Sequence, residues 1–283
     1  MSGTSVPDSG TSVSSGTSGT SGTSGTSARK PPVPRSGGIG LSPRLVLALL
    51  VALPAAVLVG LLVLAVESSW GPLRDLDRSV ADALHAQALG HPELVRALIL
   101  VSDAGSPTVM RIAAAVLAIV LLLRGARRLP LWVAATMAGG AVIDEVLKVA
   151  VNRARPVFAH PVATAPGPAF PSGHAFTATL GAGVFLLTLL PLLSRRGKVG
   201  AWVIAALVPI AVGYSRIALG VHWTSDVLGG WLLGVGLLTA TTAAFETWRR
   251  EHALPRVRPT VEGVAPEESE QVGHEPADDR GSA

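Results

Sequence analysis

The feature that most constrains this chain is a series of six apolar stretches separated by more polar segments. The first, residues 45–66, runs for 22 residues without a charge, and an apolar helix of about 20 residues crosses a bilayer. The others are residues 109–123, 131–151, 175–193, 199–215 and 227–245. Charged residues make up only 15% of the chain, against about 25% in a soluble domain. The pattern predicts an all-α fold, a six-helix transmembrane bundle.

Two polar tails flank this apolar region. Residues 1–44 are rich in Ser, Gly and Thr and then become basic and proline-rich, while residues 249–283 are predominantly acidic. Compositions of this kind cannot bury a core, so both tails are expected to be disordered. Residues 45–248 are therefore the expected transmembrane domain. The chain contains no cysteine, which excludes disulfides and thiolate chemistry.

Charge placement predicts the orientation of the bundle. Basic residues precede the first helix, follow the last, and fill the connections after the second and fourth helices. They are Arg29, Lys30, Arg35, Arg44, Arg124, Arg127, Arg128, Arg195, Arg196, Lys198, Arg249 and Arg250. With six spans all these segments share one side, which the positive-inside rule makes cytoplasmic. Both termini are then cytoplasmic, and the acidic segment 67–103 is extracytoplasmic.

A second group of polar residues falls at the opposite, extracytoplasmic face. Three cations belong to it: Lys148 near the end of the third helix, Arg155 in the following loop, and Arg216 at the end of the fifth. Ionisable residues at membrane depth are costly and are functional candidates by default. Individually, Lys148 could snorkel or pair with Asp144 four residues earlier, and the arginines could anchor lipid headgroups.

Ser172, Gly173 and His174 open the fourth helix at this face, and His222 and Asp226 lead into the sixth. Ser172 could be merely a helix cap. Taken together with the three cations, however, the set indicates a phosphate site, because the cations would repel a metal and the helix start offers free N–H groups. A carboxylate four residues after a histidine can orient the imidazole as a nucleophile. The set therefore suits phosphoryl transfer without a metal or other cofactor.

Three motifs carry a family resemblance. Residues 148–156 read K-x6-R-P, residues 171–174 read P-S-G-H, and residues 215–226 read S-R-x5-H-x3-D. In all three the chain resembles the type 2 phosphatidic acid phosphatase (PAP2) superfamily, over the region of the six helices.

The resemblance implies a role for each matching residue. His222 corresponds to a nucleophile that forms a phosphohistidine, Asp226 to its orienting partner, and His174 to the acid that protonates the leaving group and then activates water. The phosphate-binding residues would be Lys148, Arg155, Ser172, Gly173 and Arg216. No metal is implied. Arg111, Arg153 and His160 receive no role.

The expected function is hydrolysis of a lipid phosphomonoester or diphosphate. The expected substrates are undecaprenyl (or a related polyprenyl) diphosphate, phosphatidic acid and phosphatidylglycerol phosphate, with the polyprenyl diphosphate slightly favoured over phosphatidic acid. The expected partners are a lipid phosphate in the bilayer and membrane lipids, not nucleic acid. Two alternatives stay open: a lipid phosphotransferase that uses the same residues, and a non-catalytic protein that binds or transports phospholipid. The second would not need both histidines. The sequence does not indicate an oligomeric state.

Overall fold

The computed structural model describes residues 43–251, which form eight α-helices in succession. In chain order they are α1 (Pro43–Glu67), α2 (Gly71–Leu89), α3 (Pro92–Ala104), α4 (Pro107–Leu123), α5 (Arg128–Val151), α6 (Gly173–Leu189), α7 (Arg195–Ala218) and α8 (Thr224–Glu251). A short 3-10 helix, Leu190–Leu192, extends α6. No residue in this range lies in a strand, so the all-α prediction is confirmed. The predicted tails lie outside the described residues, apart from a few that belong to α1 and α8.

By length and hydropathy, fewer than the six predicted spans qualify as candidate membrane spans among the described residues. Four helices are long and apolar enough to cross a bilayer: α1, α6 with its extension, α7 and α8. The pair α3 and α4, bent by 41° at a short break, brings the number to five at most among the described residues. The 24-residue α5 falls outside this set, because Asp144, Glu145 and Lys148 interrupt its apolar surface. These helices make the chain a multi-pass membrane protein, with up to five of the six predicted spans among the candidates.

Helix α6 is the centre of the bundle and contacts α4, α5, α7 and α8. Its Phe176, Leu180 and Val184 are fully buried against Val133 of α5 and its neighbours. Helix α1 packs on α8 and leaves leucines such as Leu50 and Leu64 exposed, 67% and 66%. An outward apolar surface of this kind suits contact with lipid tails.

Small residues bring α8 against the start of α6. A Cβ on Gly230 would lie 2.8 Å from the Ser172 carbonyl oxygen, and one on Gly234 would lie 2.5 Å from Thr179 Cβ. Glycines four residues apart permit this close approach between membrane helices, where lipid tails leave little hydrophobic drive for association. The backbone of α8 therefore supports the beginning of α6.

A long loop, residues 152–172, joins α5 to α6 without helix or strand. Its two ends are tied together, since the Ala169 N–H donates to the Arg153 carbonyl at 2.8 Å. The Trp223 indole donates to the Ala154 carbonyl at 2.9 Å, which fixes the loop to the segment before α8. The loop thus gathers the ends of α5 and α7 and the starts of α6 and α8.

Helix α2 was not predicted. Its buried positions follow a helical period: Leu73, Asp77, Ala81, His85 and Ala88. The helix carries charges along its other faces, so it lacks the apolar run that marks the other helices. The segment expected to be an extracytoplasmic connection instead packs against α7, α8 and α3.

Candidate active site

A buried histidine and a buried aspartate stand at the junction of α7 and α8. His222 is 2% exposed and Asp226, in the first turn of α8, is 0% exposed. His222 Nδ1 lies 3.5 Å from Asp226 Oδ2, and the same oxygen accepts the Trp223 N–H at 2.9 Å. Burial lowers the pKa of His222 to about 4, with Asp226 opposing the shift and Arg155 and Arg216 adding to it. The imidazole is therefore neutral at pH 7.

The other ring nitrogen of His222 faces Arg155. Arg155 Nη1 lies 3.0 Å from His222 Nε2 and donates to the Val221 carbonyl at 2.7 Å. A guanidinium has donors only, so Nε2 must be the acceptor and the proton must reside on Nδ1, facing Asp226. This tautomer leaves a lone pair on Nε2, which is what a nucleophile requires.

Arg155 is held in place by the loop that carries it. Its Nε donates to the Gly167 carbonyl at 2.9 Å, and its Nη2 donates to the carbonyls of Pro166 and Pro168 at 3.0 and 3.1 Å. These bonds orient the guanidinium toward His222. They use backbone acceptors, so the positive charge is not neutralised by a carboxylate bonded to it.

Apart from His222 Nδ1, two hydrogen-bond donors of the residues singled out by the sequence are buried without a partner among residues 43–251: Arg216 Nε and Ser172 Oγ. Arg216, in the last turn of α7, donates from Nη1 to Ser102 Oγ of α3 at 2.6 Å. The Ser172 N–H donates to the Asp226 carbonyl at 3.0 Å, linking the start of α6 to α8. Ser172 precedes α6 but its side chain makes no capping bond, so the interpretation as a simple helix cap is not supported. Unpartnered buried donors suit an anion.

Lys148 and Gly173 meet at the same place. Lys148 Nζ donates to Asp144 Oδ2 at 2.7 Å, so the pairing considered as an alternative role is present. It does not remove Lys148 from the site, since a Cβ on Gly173 would lie 2.8 Å from Asp144 Oδ2 and 3.0 Å from Lys148 Nζ. Glycine at this position lets both groups approach the N-terminus of α6.

His174, half-buried in the first turn of α6, lies within electrostatic range of His222 and of three cations. Those cations are Lys148, Arg155 and Arg216. The structure thus brings the eight residues singled out by the sequence to one end of the bundle. Three elements supply them: the end of α5 with its loop, the start of α6, and the α7–α8 junction.

Arg153, for which the motifs indicate no role, also belongs to this region. Its Nη1 donates to Asp226 Oδ1 at 2.5 Å and to Ser225 Oγ at 2.7 Å. Its Nη2 donates to Oδ2 of Asp77, a 1% exposed residue of α2, at 2.7 Å. Asp77 was not predicted, and the signal available was its place in the buried, helically spaced series of α2.

Comparison with known proteins agrees with this geometry. The model of the PAP2 superfamily matches residues 129–250. The chain is 41% identical over 97 residues to phosphatidylglycerophosphatase B of Bacillus subtilis, covering 33% of this chain and 47% of that protein. It is 32% identical over 124 residues to an undecaprenyl-diphosphatase of Sulfolobus acidocaldarius, covering 42% of this chain and 56% of that protein. The chain thus spans about half the length of these relatives.

The fold is shared with a solved structure, that of a transmembrane PAP2-type phosphatidylglycerolphosphate phosphatase from Bacillus subtilis. The two superpose with a TM-score of 0.65, over 71% of this chain and 98% of the other. Sequence identity over this match is 24%, so the likeness supports the arrangement of helices and nothing finer.

Proposed function

We propose that this chain is an integral membrane phosphatase of the PAP2 superfamily, whose family model matches residues 129–250, and that it hydrolyses a lipid phosphate through a phosphohistidine. The observation that most supports the proposal is that His222 lies between Arg155 and Asp226, each facing one of its ring nitrogens. Two further site donors, Ser172 Oγ and Arg216 Nε, are buried without a partner among residues 43–251. A neutral imidazole with an unprotonated Nε2, surrounded by cations, suits attack on phosphorus.

In the first step His222 Nε2 attacks the phosphorus atom, and the bond from phosphorus to the leaving oxygen breaks. His174 donates a proton to that oxygen, which leaves as the lipid alcohol or lipid monophosphate. Arg155, Arg216 and Lys148 stabilise the charge on the transferring phosphoryl group. Asp226 stabilises the positive charge that develops on the imidazole.

In the second step His174, now neutral, takes a proton from water, and the resulting hydroxide attacks the phosphohistidine. The phosphorus–nitrogen bond breaks, inorganic phosphate leaves, and His222 is restored with its lone pair. The fixed cations supply the charge stabilisation that Mg²⁺ supplies in other phosphoryl-transfer enzymes. We expect phosphate release to continue in excess chelator; loss of release on chelation would contradict this mechanism.

The proposed topology has six spans: α1, the bent pair α3–α4, α5, α6, α7 and α8. Helix α5 is included because its 24 residues extend about 36 Å at 1.5 Å per residue, and because Asp144 is buried and paired with Lys148. Both termini are then cytoplasmic and the site is extracytoplasmic, at the level of the lipid headgroups. A reporter fused after Arg250 should read as cytoplasmic, and an extracytoplasmic signal would contradict six spans.

The proposed substrates are a polyprenyl diphosphate, a phosphatidylglycerol phosphate or phosphatidic acid. The two relatives named above act on two of these headgroup types. All three share a terminal phosphate that the cations can bind. Phosphate release by purified protein from each lipid in detergent separates them, and no release from any of them would refute the proposed function.

The lipid phosphotransferase alternative uses the same first step and replaces water with an alcohol. Adding a lipid alcohol or glycerol to the assay and measuring the phosphorylated product against free phosphate distinguishes the two. A non-catalytic lipid-binding role is disfavoured because the tautomer set by Arg155 and Asp226 has no use in binding alone.

A further inference from the structure

One buried network reaches the candidate site from outside the three motifs. Arg153 extends its two terminal nitrogens toward two carboxylates, with Nη1 on Asp226 and Nη2 on Asp77. Asp77 also accepts the Ser225 N–H through Oδ1 at 2.9 Å and the Ser225 hydroxyl through Oδ2 at 2.6 Å. All the partners of Asp77 are therefore bound directly to Asp226 or adjacent to it in sequence.

We propose that Asp77 is a positioning residue for the phosphatase reaction, acting through Arg153 and Ser225 to hold Asp226 against His222. The inference rests on the proposed function. It makes α2, a helix outside all three motifs, a working part of the active site.

The geometry fixes Asp226 from both sides. Arg153 bonds Oδ1, which leaves Oδ2 to face His222 Nδ1 and the Trp223 N–H. A guanidinium is planar, so bonds at both of its terminal nitrogens set its orientation as well as its position. Asp77 accepts the second of these bonds and thereby fixes the orientation of the Arg153 guanidinium relative to Asp226.

Burial makes this dependence strong. The side chains of Asp77 and Asp226 are 2% and 0% exposed, and that of Arg153 is 12% exposed. In such surroundings a group that loses its partner cannot turn to water and instead shifts toward another acceptor. The amide of Asp77→Asn keeps one accepting oxygen, so either Arg153 or the Ser225 N–H at the start of α8 would lose its acceptor.

The consequence falls on turnover rather than on substrate binding. The hydrogen bonds of Asp77 go to Arg153 and Ser225 and not to the proposed phosphate-binding residues, so we expect substrate binding to be little changed. The orientation of Asp226 determines the His222 tautomer and the stabilisation of charge on the imidazole. Residues that orient metal ligands by hydrogen bonds change affinity or activity about 10- to 100-fold when altered, and we expect the same range of kcat loss for Asp77→Asn.

The test compares Asp77→Asn with Asp75→Asn, an exposed carboxylate two residues earlier on the same helix. Both are assayed for phosphate release in detergent, and thermal unfolding is followed in the same preparations. We expect Asp77→Asn to lower kcat about 10- to 100-fold with KM within about threefold of wild type, and Asp75→Asn to change neither.

A double-mutant cycle with Arg153→Lys separates this role from a purely structural one. Lys cannot bridge two carboxylates as the guanidinium does, so Arg153→Lys alone should also lower kcat. If Asp77 acts through Arg153, adding Asp77→Asn to Arg153→Lys should lower kcat by less than about threefold more. Fully multiplicative losses would overturn the proposal. If Asp77→Asn does not fold, Arg153→Lys decides, and an unchanged kcat in that variant would refute it.

The ¹⁵N resonances of His222 give a readout that does not depend on turnover. In wild type we expect the tautomer with hydrogen on Nδ1, and in Asp77→Asn a mixture with the other tautomer. If wild type releases no phosphate from any lipid, the proposed function fails, and the tautomer alone decides the role of Asp77. An unchanged His222 signal in a folded Asp77→Asn would contradict that role.

Discussion

The substitution Asp226→Asn probes the core of the site, because it removes a charge without changing the shape of the side chain. Both oxygens of Asp226 face donors: Arg153 on Oδ1, and the Trp223 N–H with His222 Nδ1 on Oδ2. An amide offers one accepting oxygen and one donating nitrogen. In the variant, the amide nitrogen, a donor, must therefore face another donor on one of the two sides.

The carbonyl oxygen of that amide is expected to stay on Arg153, whose charge is the stronger donor. The amide nitrogen then faces His222 Nδ1, which must become an acceptor, and the ring proton moves to Nε2. That tautomer cannot attack phosphorus, and its Nε2–H opposes Arg155. The equivalent wrong-tautomer substitution in a serine protease lowers kcat about 10⁴-fold, which corresponds to about 5 kcal/mol of transition-state stabilisation.

We expect Asp226→Asn to lower kcat by about 10⁴-fold with KM within about threefold, because no proposed phosphate-binding side chain is altered. The assay is phosphate release at saturating lipid in detergent. Glu145→Gln, which neutralises an exposed carboxylate on α5, is the control and should retain wild-type kcat. A kcat for Asp226→Asn within about tenfold of wild type would refute the argument from the tautomer.

Three further predictions use the same phosphate-release assay. Gly173→Ala should lower kcat/KM more than about tenfold without a large change in thermal midpoint. The added Cβ would lie 2.8 Å from Asp144 Oδ2, next to the N-terminus of α6. A kcat/KM equal to that of wild type would contradict this prediction. Lys148→Ala should lower kcat/KM about 100- to 1,000-fold through weaker transition-state binding, measured against the Glu145→Gln control. Burial lowers the pKa of His222 to about 4, so the nucleophile is still neutral at about pH 5.5. Activity, corrected for substrate ionisation, should therefore persist at pH 5.5 and fall only as the pH approaches 4. A loss of activity centred near pH 6.5 would instead show a histidine with an unshifted pKa.

Much of the fold follows from hydropathy, and the helices that do not, or that qualify less clearly as spans, have a physical reason for it. Long uncharged runs located α1, α6, α7 and α8 to within a few residues, because lipid tolerates only apolar surfaces there. Helix α5 was located equally well, yet its charges keep it from the set of helices that qualify as spans by composition. Helix α2 was missed because its buried face is only one residue wide per turn and includes Asp77 and His85.

The candidate site divides in the same way. The motif residues could be predicted because their types and spacing suit one reaction and lie at one end of the bundle. The role of Arg153 could not, since its partner Asp77 lies 76 residues away in sequence and no local pattern joins them. Only the packing of α2 against α7 and α8 brings the two together.

The central claim is that His222 carries the phosphoryl group between the two steps. The direct measurement is to stop the reaction with alkali, in which phosphohistidine is stable, and to locate the added phosphoryl group by peptide mass spectrometry. We expect it on His222 in wild type and not in His222→Ala, which should also lose activity by several orders of magnitude. Full turnover by His222→Ala, or a phosphoryl group found on another residue, would contradict the mechanism.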